Sequence, residues 1–292
     1  MTAQILAVPN WSFGRSKTLL REVGEELTRH PVEVHYCESD LDHNRTVTAF
    51  SGETEAVHAV LLALADLILP AIDLNRHAGV HPRIGGLDVC PIIPFGPEGI
   101  AAAIDSTERL AAELAGRHHL PIFLYEKSEK GRHEATLPEL RTGGFGGLFG
   151  RELQPDFGPR EAHPNLGATI LGVRDFLIAL NVNLLGERIE VAREIASKIR
   201  RKRSEGDPRF LGVRALGLPL ASRQQIQVSM NLTLPDITSI DPILQWVWMQ
   251  AMERGVALSE NELIGVIRPQ DLLAMPRLPH LPAQVVKIGN AV

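Results

Sequence analysis

Two spacings of apolar residues alternate along the first half of the chain, and each predicts a different element. Leucine and valine recur at helical spacing over residues 19–27, whereas residues 32–36 alternate as a half-buried strand does. Pro97 begins another helical pattern, at the N1 position that proline favours. By the same criteria the sequence predicts strands at 5–8, 46–50, 87–93 and 122–125, and a helix that opens at Ser51 and ends near residue 69. The first half is therefore predicted to follow the order β-α-β-β-α-β with an added helix and strand.

The second half, from residue 168 onwards, shows the same order of patterns without a detectable sequence repeat. Its predicted elements are strand residues up to 185, a helix at 187–203, strands at 213–216 and 226–232, a helix at 241–254, a strand at 262–267 and a short helix at 269–274. Residues 131–164 are rich in glycine and proline and lack a regular period, and such long loops are usually functional or disordered. From Pro276 we expect an extended strap or end strand.

These patterns predict an α/β (α+β) protein of two β-α-β-β-α-β subdomains, residues 1–165 and residues 166–292. Each subdomain is expected to be a mainly antiparallel sheet with helices on one face, because a layer of helices buries one side of such a sheet. We expect the ligand groove to lie between the two subdomains.

Composition is typical of a globular protein and gives no reason to expect a nucleic-acid or membrane partner. Apolar residues make up 44% of the 292 residues, charged residues make up 22%, and the formal net charge is −5. A net negative chain does not attract nucleic acid or an anionic membrane. We therefore expect small-molecule substrates, and any anionic substrate has to be held by local arginines.

The cysteines and the apolar segments indicate a cytoplasmic protein. Cys37 and Cys90 lie in strand-like runs, which is typical of reduced core thiols. The N-terminus turns polar within ten residues, so we expect no secretory signal. The most apolar run, residues 56–72, is interrupted by histidine, aspartate and proline, which indicates a buried helix rather than a membrane span.

The segment 73–94 holds the most informative candidate chemistry. It places His77 and His81 in a polar stretch directly before a predicted buried strand, and a histidine on such a loop can move a proton near neutral pH. Pro82 disfavours helix at His81. The H-x₃-H spacing would suit zinc only on a continuous helix, which Gly79 and Pro82 oppose, so we predict no metal. A structural histidine near a turn is the alternative for His81.

Segment 73–94 resembles the signature of the glutamate formimidoyltransferase family, the folate-dependent enzymes of histidine breakdown. Three further stretches agree with this family in order and spacing, namely 8–14, 44–52, and 155–159 continuing through 167–169 and 176–184. The resemblance implies transfer of a formimidoyl group from N-formimidoyl-L-glutamate to N5 of tetrahydrofolate. It also implies tetrahydrofolate as a co-substrate and a homodimer. Some members carry a following cyclodeaminase domain, so we expect this chain alone to perform only the transfer step.

The resemblance assigns roles to individual residues. The histidine at the position of His81 is the family's proposed general base. The folate-binding stretch corresponds to Gly158, Pro159, Arg160, Glu161, Ala162, His163, Pro164, Asn165, Leu166 and Gly167, for which a domain linker is the alternative. Further substrate contacts are expected from Asn10, Ser12, Glu38, Asn44, Arg45, Thr46, His77, Arg83 and Arg174. Arg45 can grip a carboxylate through two parallel hydrogen bonds, unless it is a solvated turn residue.

Three positions depart from the family pattern, and two of them lack a carboxylate. Members commonly have glutamate where this chain has Phe13 and Val80, and aspartate where it has Glu38. The loss of two carboxylates leaves fewer anionic partners for an amidinium. A catalytically diverged folate-binding paralogue and a transferase with another one-carbon donor therefore remain alternatives. The two histidines, His77 and His81, also leave a metal-dependent hydrolase as an alternative.

Overall fold

The computed structural model describes residues 4–134, 136–273 and 278–288, and the chain forms two compact units. The first unit comprises residues 1–175 and 288–292, and the second comprises residues 176–287. The division falls later than the predicted one after residue 165. The strand at Thr169–Val173 accounts for the difference, because it pairs within the sheet of the first unit.

Seven strands form the sheet of the first unit. They are β1 (Gln4–Ala7), β2 (Asn10–Trp11), β3 (Glu33–Asp40), β4 (Arg45–Glu53), β5 (Leu87–Pro94), β6 (Ile122–Leu124) and β7 (Thr169–Val173). β1 and β2 both lie between β4 and β5 and pair antiparallel with each of them. β3 pairs antiparallel with the outer edge of β4, whereas β7 runs parallel to β5 and β6. The sheet order is therefore β3, β4, β1/β2, β5, β7, β6.

Helices cover one face of this sheet. They are α1 (Lys17–Thr28), α2 (Thr54–Ile68) and α3 (Ile100–His118). Helix α1 begins where the hydroxyl of Ser16 accepts a hydrogen bond from the backbone N–H of Leu19, an N-cap that satisfies one of the free donors of the first turn. The buried positions of the three helices pack with Trp11 and Cys90 in the main hydrophobic cluster.

The opposite face of the sheet is covered by the segment between β6 and β7. Val89 and Cys90 are consecutive in β5 and point to opposite faces, and Val89 packs with Leu140, Leu148 and Leu153 of that segment. The segment contains the short helix α4 (Leu137–Leu140) and a 3₁₀ turn at Phe145–Leu148. Its leucines fix the predicted irregular stretch against the sheet, and β5 is consequently buried along most of its length.

The second unit repeats the same arrangement on its own. Its elements are β8 (Ile178–Leu185), α5 (Ile189–Ser204), β9 (Val213–Leu220), β10 (Gln225–Leu232), α6 (Ile240–Met252), β11 (Leu258–Ile264) and α7 (Pro269–Leu273). All its strand pairs are antiparallel, in the order β11, β8, β10, β9. In both units the first strand lies between the third and the fourth. The predicted fold class of two β-α-β-β-α-β subdomains is thereby confirmed.

In the second unit the observed ends of some elements differ by a few residues from the predicted ends. The last strand lies at Leu258–Ile264 rather than 262–267, because positive φ at Gly265 ends the extended run. Of the predicted terminal strap, residues 276–277 and 289–292 lie outside the described residues, and Val285 forms an isolated parallel bridge with Ile267.

Helix α2 is the most apolar helix of the first unit. Together with the turn that follows, Thr54–Ala71 has the length and the mean hydropathy, 1.6, of a segment that can cross a membrane, and 50% of it is buried inside the protein. Its side chains Val57, Leu61 and Leu64 pack in the main hydrophobic cluster, as the core helix of a globular protein does.

Candidate functional site

The loop between α2 and β5 carries His77 and His81 and is fixed to its neighbours by the backbone. Val80 donates its N–H to the carbonyl of Asp42 at 3.0 Å, in the turn between β3 and β4. The N–H of Ser12 bonds Gly86 at 2.8 Å, and Gly85 forms an isolated bridge with Gly167. The loop is thus held from several sides, so its side chains have defined positions at the start of β5, an inner strand of the sheet.

Arg83 ties this loop to the β3–β4 turn. Its guanidinium donates to the backbone carbonyls of His43, of Asn44 at 3.0 Å and of His81 at 3.0 Å. It is 8% exposed. A planar guanidinium offers five donors, so one buried arginine can satisfy several carbonyls at once. Arg83 therefore fixes the backbone at His81 relative to the β3–β4 turn.

His77 is neutral at physiological pH. Its Nε2 lies 2.8 Å from the carbonyl oxygen of Asn44 and 2.8 Å from Nη1 of Arg83. Burial and the positive charge of Arg83 lower the pKa of His77 to about 4. A neutral ring with its Nε2 beside the Asn44 carbonyl acts as a local hydrogen-bonding group rather than as a cation.

Asp88 is the buried centre of the charge network at the start of β5. It is 0% exposed, and its Oδ1 accepts the backbone N–H of Ile84 at 2.8 Å. Its Oδ2 accepts hydrogen bonds from Nη2 of Arg45, at 2.6 Å, and from Nη2 of Arg141. Burial raises the pKa of Asp88, but the guanidiniums of Arg141 and Arg45 outweigh that effect and hold the pKa below its usual value.

His81 lies beside this network and is half-buried. Its Nδ1 lies 2.9 Å from the carbonyl oxygen of Pro82, which favours the tautomer that donates from Nδ1 and keeps a lone pair on Nε2. Burial, followed by the positive charges of Arg45 and Arg141, lowers the pKa of His81 well below that of a free histidine. The ring of His43 lies at 5.5 Å between centroids. His81 is therefore a neutral acceptor at neutral pH.

Several predicted contact residues form the polar frame of the site. Asn44 adopts a positive φ of 47°, bonds the carbonyl of Ala78 through Nδ2 at 3.1 Å, and accepts the N–H of Gly14 at 2.8 Å. Ser12 donates its hydroxyl to Gly85 at 2.6 Å. These side chains bond the backbone of neighbouring segments, so they set the shape of the site.

Arg45 and Thr46 begin β4 and face opposite sides of the sheet, as consecutive strand residues do. Arg45 reaches the charge network and also donates from Nη1 to Oδ1 of Asn10 at 2.9 Å. Thr46 donates to the carbonyl of Phe13 at 2.6 Å. Phe13 itself is buried in the main hydrophobic cluster, so this position belongs to the core of the first unit. Glu38 is exposed on β3, opposite Val47.

The predicted folate-binding stretch, residues 158–167, meets the histidine loop at its C-terminal end. Asn75 donates from Nδ2 to the carbonyl of Pro164 at 2.9 Å, and the N–H of Leu74 bonds Asn165 at 2.8 Å. His163 accepts the N–H of Leu166 at 3.0 Å. Residues 163–167 are therefore next to the segment that leads to His77, whereas Arg160 pairs at 2.8 Å with Glu152 on the surface.

Arg174 lies away from the charge network. It follows β7, and its N–H bonds the carbonyl of Ile92 in β5 at 3.0 Å. Ile92 is four residues after Asp88 along the strand, a separation of about 13 Å. Among the residues that the structure describes, no group of three or more His, Cys, Asp or Glu side chains is arranged to hold a metal ion.

Sequence reasoning missed two residues of the network. Asp88 carried a detectable signal, because it is the charged residue in an otherwise apolar strand that is buried on both faces. Arg141 carried none, since it follows α4 in a segment without periodicity and meets Asp88 only through the fold.

Comparison with known proteins gives consistent matches over nearly the whole chain. The sequence model of a family described as "Formiminotransferase domain, N-terminal subdomain" matches residues 4–174, and that of the "Formiminotransferase domain" matches residues 179–278. A glutamate formimidoyltransferase of Streptococcus pyogenes is 30% identical, with 94% of this chain and 92% of the relative covered. One of Thermoplasma acidophilum is 31% identical, with 91% and 88% covered.

Longer relatives match as well. The formimidoyltransferase-cyclodeaminase of Rattus norvegicus is 31% identical over 94% of this chain. The chain spans about half, 52%, of the length of that relative.

Proposed function

Because this chain belongs to the formiminotransferase domain family, we propose that it transfers the formimidoyl group of N-formimidoyl-L-glutamate to N5 of tetrahydrofolate, with His81 as the general base. The observation that carries the proposal is the state of His81. Its Nδ1 is engaged by the Pro82 carbonyl, and its lowered pKa keeps Nε2 free to accept a proton.

The residues suit the proton transfers that this reaction requires. N5 of tetrahydrofolate attacks the amidine carbon, and the new C–N5 bond forms as His81 accepts the N5 proton. The bond from that carbon to the glutamate nitrogen then breaks, and the imidazolium returns the proton to the departing amine. General acid–base help of this kind contributes roughly 10²–10⁴-fold to the rate.

Positioning of two substrates contributes at least as much. Well-oriented intramolecular reactions gain about 7–11 kcal/mol from held geometry. The frame of Asn44, Ser12 and Arg83 fixes the loop that carries His81, and such a fixed loop suits this role. In this proposal residues 158–167 bind folate, no metal takes part, and the protein acts in histidine degradation as a cytoplasmic homodimer.

The test is the turnover of a His81→Ala variant. We expect kcat for the release of glutamate to fall by roughly 10²–10⁴-fold, because the general base is removed. His30→Ala is the matched control, since His30 is also half-buried but pairs with Glu26 on α1. Circular dichroism checks that both variants are folded.

Two outcomes would change the proposal. Normal turnover by His81→Ala would rule out the general base. Saturable binding of tetrahydrofolate by the unaltered protein, without transfer from formimidoyl-glutamate, would favour the folate-binding paralogue. The departure at Val80 motivates that second reading, because this half-exposed side chain adjoins His81 and carries no charge.

A further inference from the structure

The charge network around Asp88 contains more positive charge than its carboxylate can neutralise. Arg45, Arg83 and Arg141 all act electrostatically on Asp88. Burial lowers the pKa of Arg45 to about 9 and that of Arg83 to about 10, so both guanidiniums stay charged at neutral pH. Buried charge is costly without a counter-charge, and this local excess favours an anion as ligand.

The three arginines differ in how many of their donors are already used. Arg83 bonds three backbone carbonyls, and Arg45 bonds Asn10, Pro82 and Asp88. Arg141 bonds only Asp88, through Nη2, among the residues that the structure describes. Its Nε is buried without a hydrogen-bond partner in the described part of the chain, as is Nε of Arg45. Unused donors are thus concentrated on Arg141.

Arg141 is held in place from both sides. Its backbone ends helix α4, where its N–H bonds the carbonyl of Leu137 at 3.2 Å. Leu140, directly before it, is buried in the second hydrophobic cluster. At the other end, Asp88 bonds the guanidinium, and the side chain is 11% exposed. A guanidinium fixed in this way has lost its conformational freedom before a ligand arrives, which favours binding.

We propose that Arg141 is a binding residue for a substrate carboxylate, oriented by Asp88 and assisted by Arg45. The inference deepens the proposed function and rests on it, because it names the group that the same site recognises. Guanidinium and carboxylate form strong charge-assisted hydrogen bonds, often two in parallel. The carboxylate belongs either to the formimidoyl donor or to the glutamyl tail of the folate.

Occupation of Arg141 also affects the general base. The charged and titratable groups around the ring of His81 are Arg45, Arg141, His43 and, through its bonds to both arginines, Asp88. A carboxylate bound at Arg141 offsets part of the positive charge that lowers the pKa of His81. Substrate binding would therefore make His81 more basic when a proton has to be accepted.

Arg141→Gln is the test variant, and Arg151→Gln is its control, because Arg151 is exposed in the same segment. KM is measured for N-formimidoyl-L-glutamate and for N-formimidoyl-L-glutamine, which lacks the side-chain carboxylate. It is also measured for tetrahydrofolate and for tetrahydropteroate, which lacks the glutamyl tail. We expect Arg141→Gln to raise KM roughly 10- to 100-fold for the substrate whose carboxylate it binds, the usual effect of losing a charged hydrogen bond.

The truncated substrates identify the carboxylate. If the side-chain carboxylate of the donor is bound, the effect of Arg141→Gln disappears with formimidoyl-glutamine; if the α-carboxylate of the donor is bound, the effect is the same for both donors and absent for both folates. If the glutamyl tail of the folate is bound, the effect is absent for both donors and is larger for tetrahydrofolate than for tetrahydropteroate, which keeps only its benzoate carboxylate. An equal KM change for all four substrates, or no change at all, would overturn the inference, since neither depends on a carboxylate.

A second readout separates binding from a purely structural role. Arg141→Gln should move the acidic limb of the kcat/KM profile to higher pH, because a cation beside His81 has been removed. Arg141→Lys should restore the position of that limb but only part of the KM, since lysine keeps the charge and loses the paired donors. If Arg141→Gln does not fold, the KM values of Arg141→Lys for the four substrates serve instead. A rise in KM confined to the substrate with the bound carboxylate supports the inference, and an equal change for all four contradicts it.

Calorimetry distinguishes this inference from the proposed function. Suppose that the unaltered protein binds formimidoyl-glutamate or tetrahydrofolate more tightly than Arg141→Gln does, but transfers no formimidoyl group. The inference of a carboxylate site would then stand, and the proposed transferase function would be wrong. Transfer with a KM that is independent of Arg141 would remove the carboxylate site alone.

Discussion

At the residue scale, one buried carboxylate organises the candidate site. Asp88 is bonded by Arg45 of β4 and by Arg141 beyond α4, and it also fixes the N–H of Ile84 in the histidine loop. Its environment explains why a charged residue is tolerated in an apolar strand, since every nearby guanidinium stabilises the ionised form.

Asp88→Asn should therefore destabilise the protein strongly. The substitution removes the counter-charge of two buried guanidiniums, and breaking a buried pair typically costs about 3–5 kcal/mol. Chemical denaturation measures the change in the free energy of unfolding. Asp66→Asn is the control, because Asp66 pairs with Arg117 at the surface and is 50% exposed, where the effect should be about 1 kcal/mol or less. Equal small losses in both variants would contradict the central role of Asp88.

At the element scale, the segment between β6 and β7, called the cover here, packs over one face of the sheet. Its leucines pack on Val89, and its Asp156 accepts the N–H of Leu124 in β6 at 2.7 Å. His133 bonds the same Oδ2 of Asp156 at 2.7 Å, and both side chains are almost fully buried. An ion pair therefore connects the start and the end of the cover.

The attachment of the cover should depend on pH. Burial opposes the charged ring, but the hydrogen bond to Asp156 outweighs it and raises the pKa of His133. Burial likewise opposes ionisation of Asp156, and the hydrogen bond from His133 reverses the effect and lowers its pKa. The stabilisation is fully present at pH values between the two unfolded-state pKa values, about 3.9 for an aspartate and about 6.5 for a histidine. It is lost as pH rises through the raised pKa of His133, or falls through the lowered pKa of Asp156.

Hydrogen exchange at the amide of Leu124 reports this attachment. Its protection, corrected for intrinsic exchange, should decrease from pH 6 towards alkaline pH in the unaltered protein. The Asp156→Asn variant should start with lower protection and show a flatter pH dependence, because the pair is already broken. Constant protection across this range in the unaltered protein would mean that the ion pair does not hold the cover.

At the scale of the whole molecule, the two units share the order of their core strands. They differ because the sheet of the first unit contains additional strands. The first unit extends its sheet with β7 and β6, which run parallel to β5. A parallel neighbour requires a long crossover connection, which α3 and the cover segment provide. This extension places the cover and the histidine loop on the same unit.

Ligand binding should stabilise the folded chain. At a concentration of 100 times its Kd, N-formimidoyl-L-glutamate should contribute about 2.7 kcal/mol, since it binds the folded and not the unfolded state. For a domain of this size that corresponds to an increase in Tm of roughly 5–10 °C. Differential scanning fluorimetry measures the shift, and an equal concentration of sodium chloride controls for ionic strength. An unchanged Tm at saturating donor would contradict donor binding to the free protein.

Local sequence patterns determined the elements and the position of the histidine loop. The helical spacing at residues 19–27 and the apolar run of β5 after Asp88 fix which faces are buried, because side chains repeat with periods of 3.6 and 2. Gly79 and Pro82 fixed the loop, since neither supports a continuous helix across His81. Family motifs added the chemistry expected of that histidine.

Only the tertiary structure decided which charges meet. Arg45 and Asp88 are 43 positions apart, and Arg141 and Asp88 are 53 apart. Strand order and the docking of the cover bring them together, and a local period carries no information about partners at such separations. The same reason placed Thr169–Val173 in the first sheet against expectation. The sequence by itself thus defined what each segment becomes, and the fold decided which segments build the site.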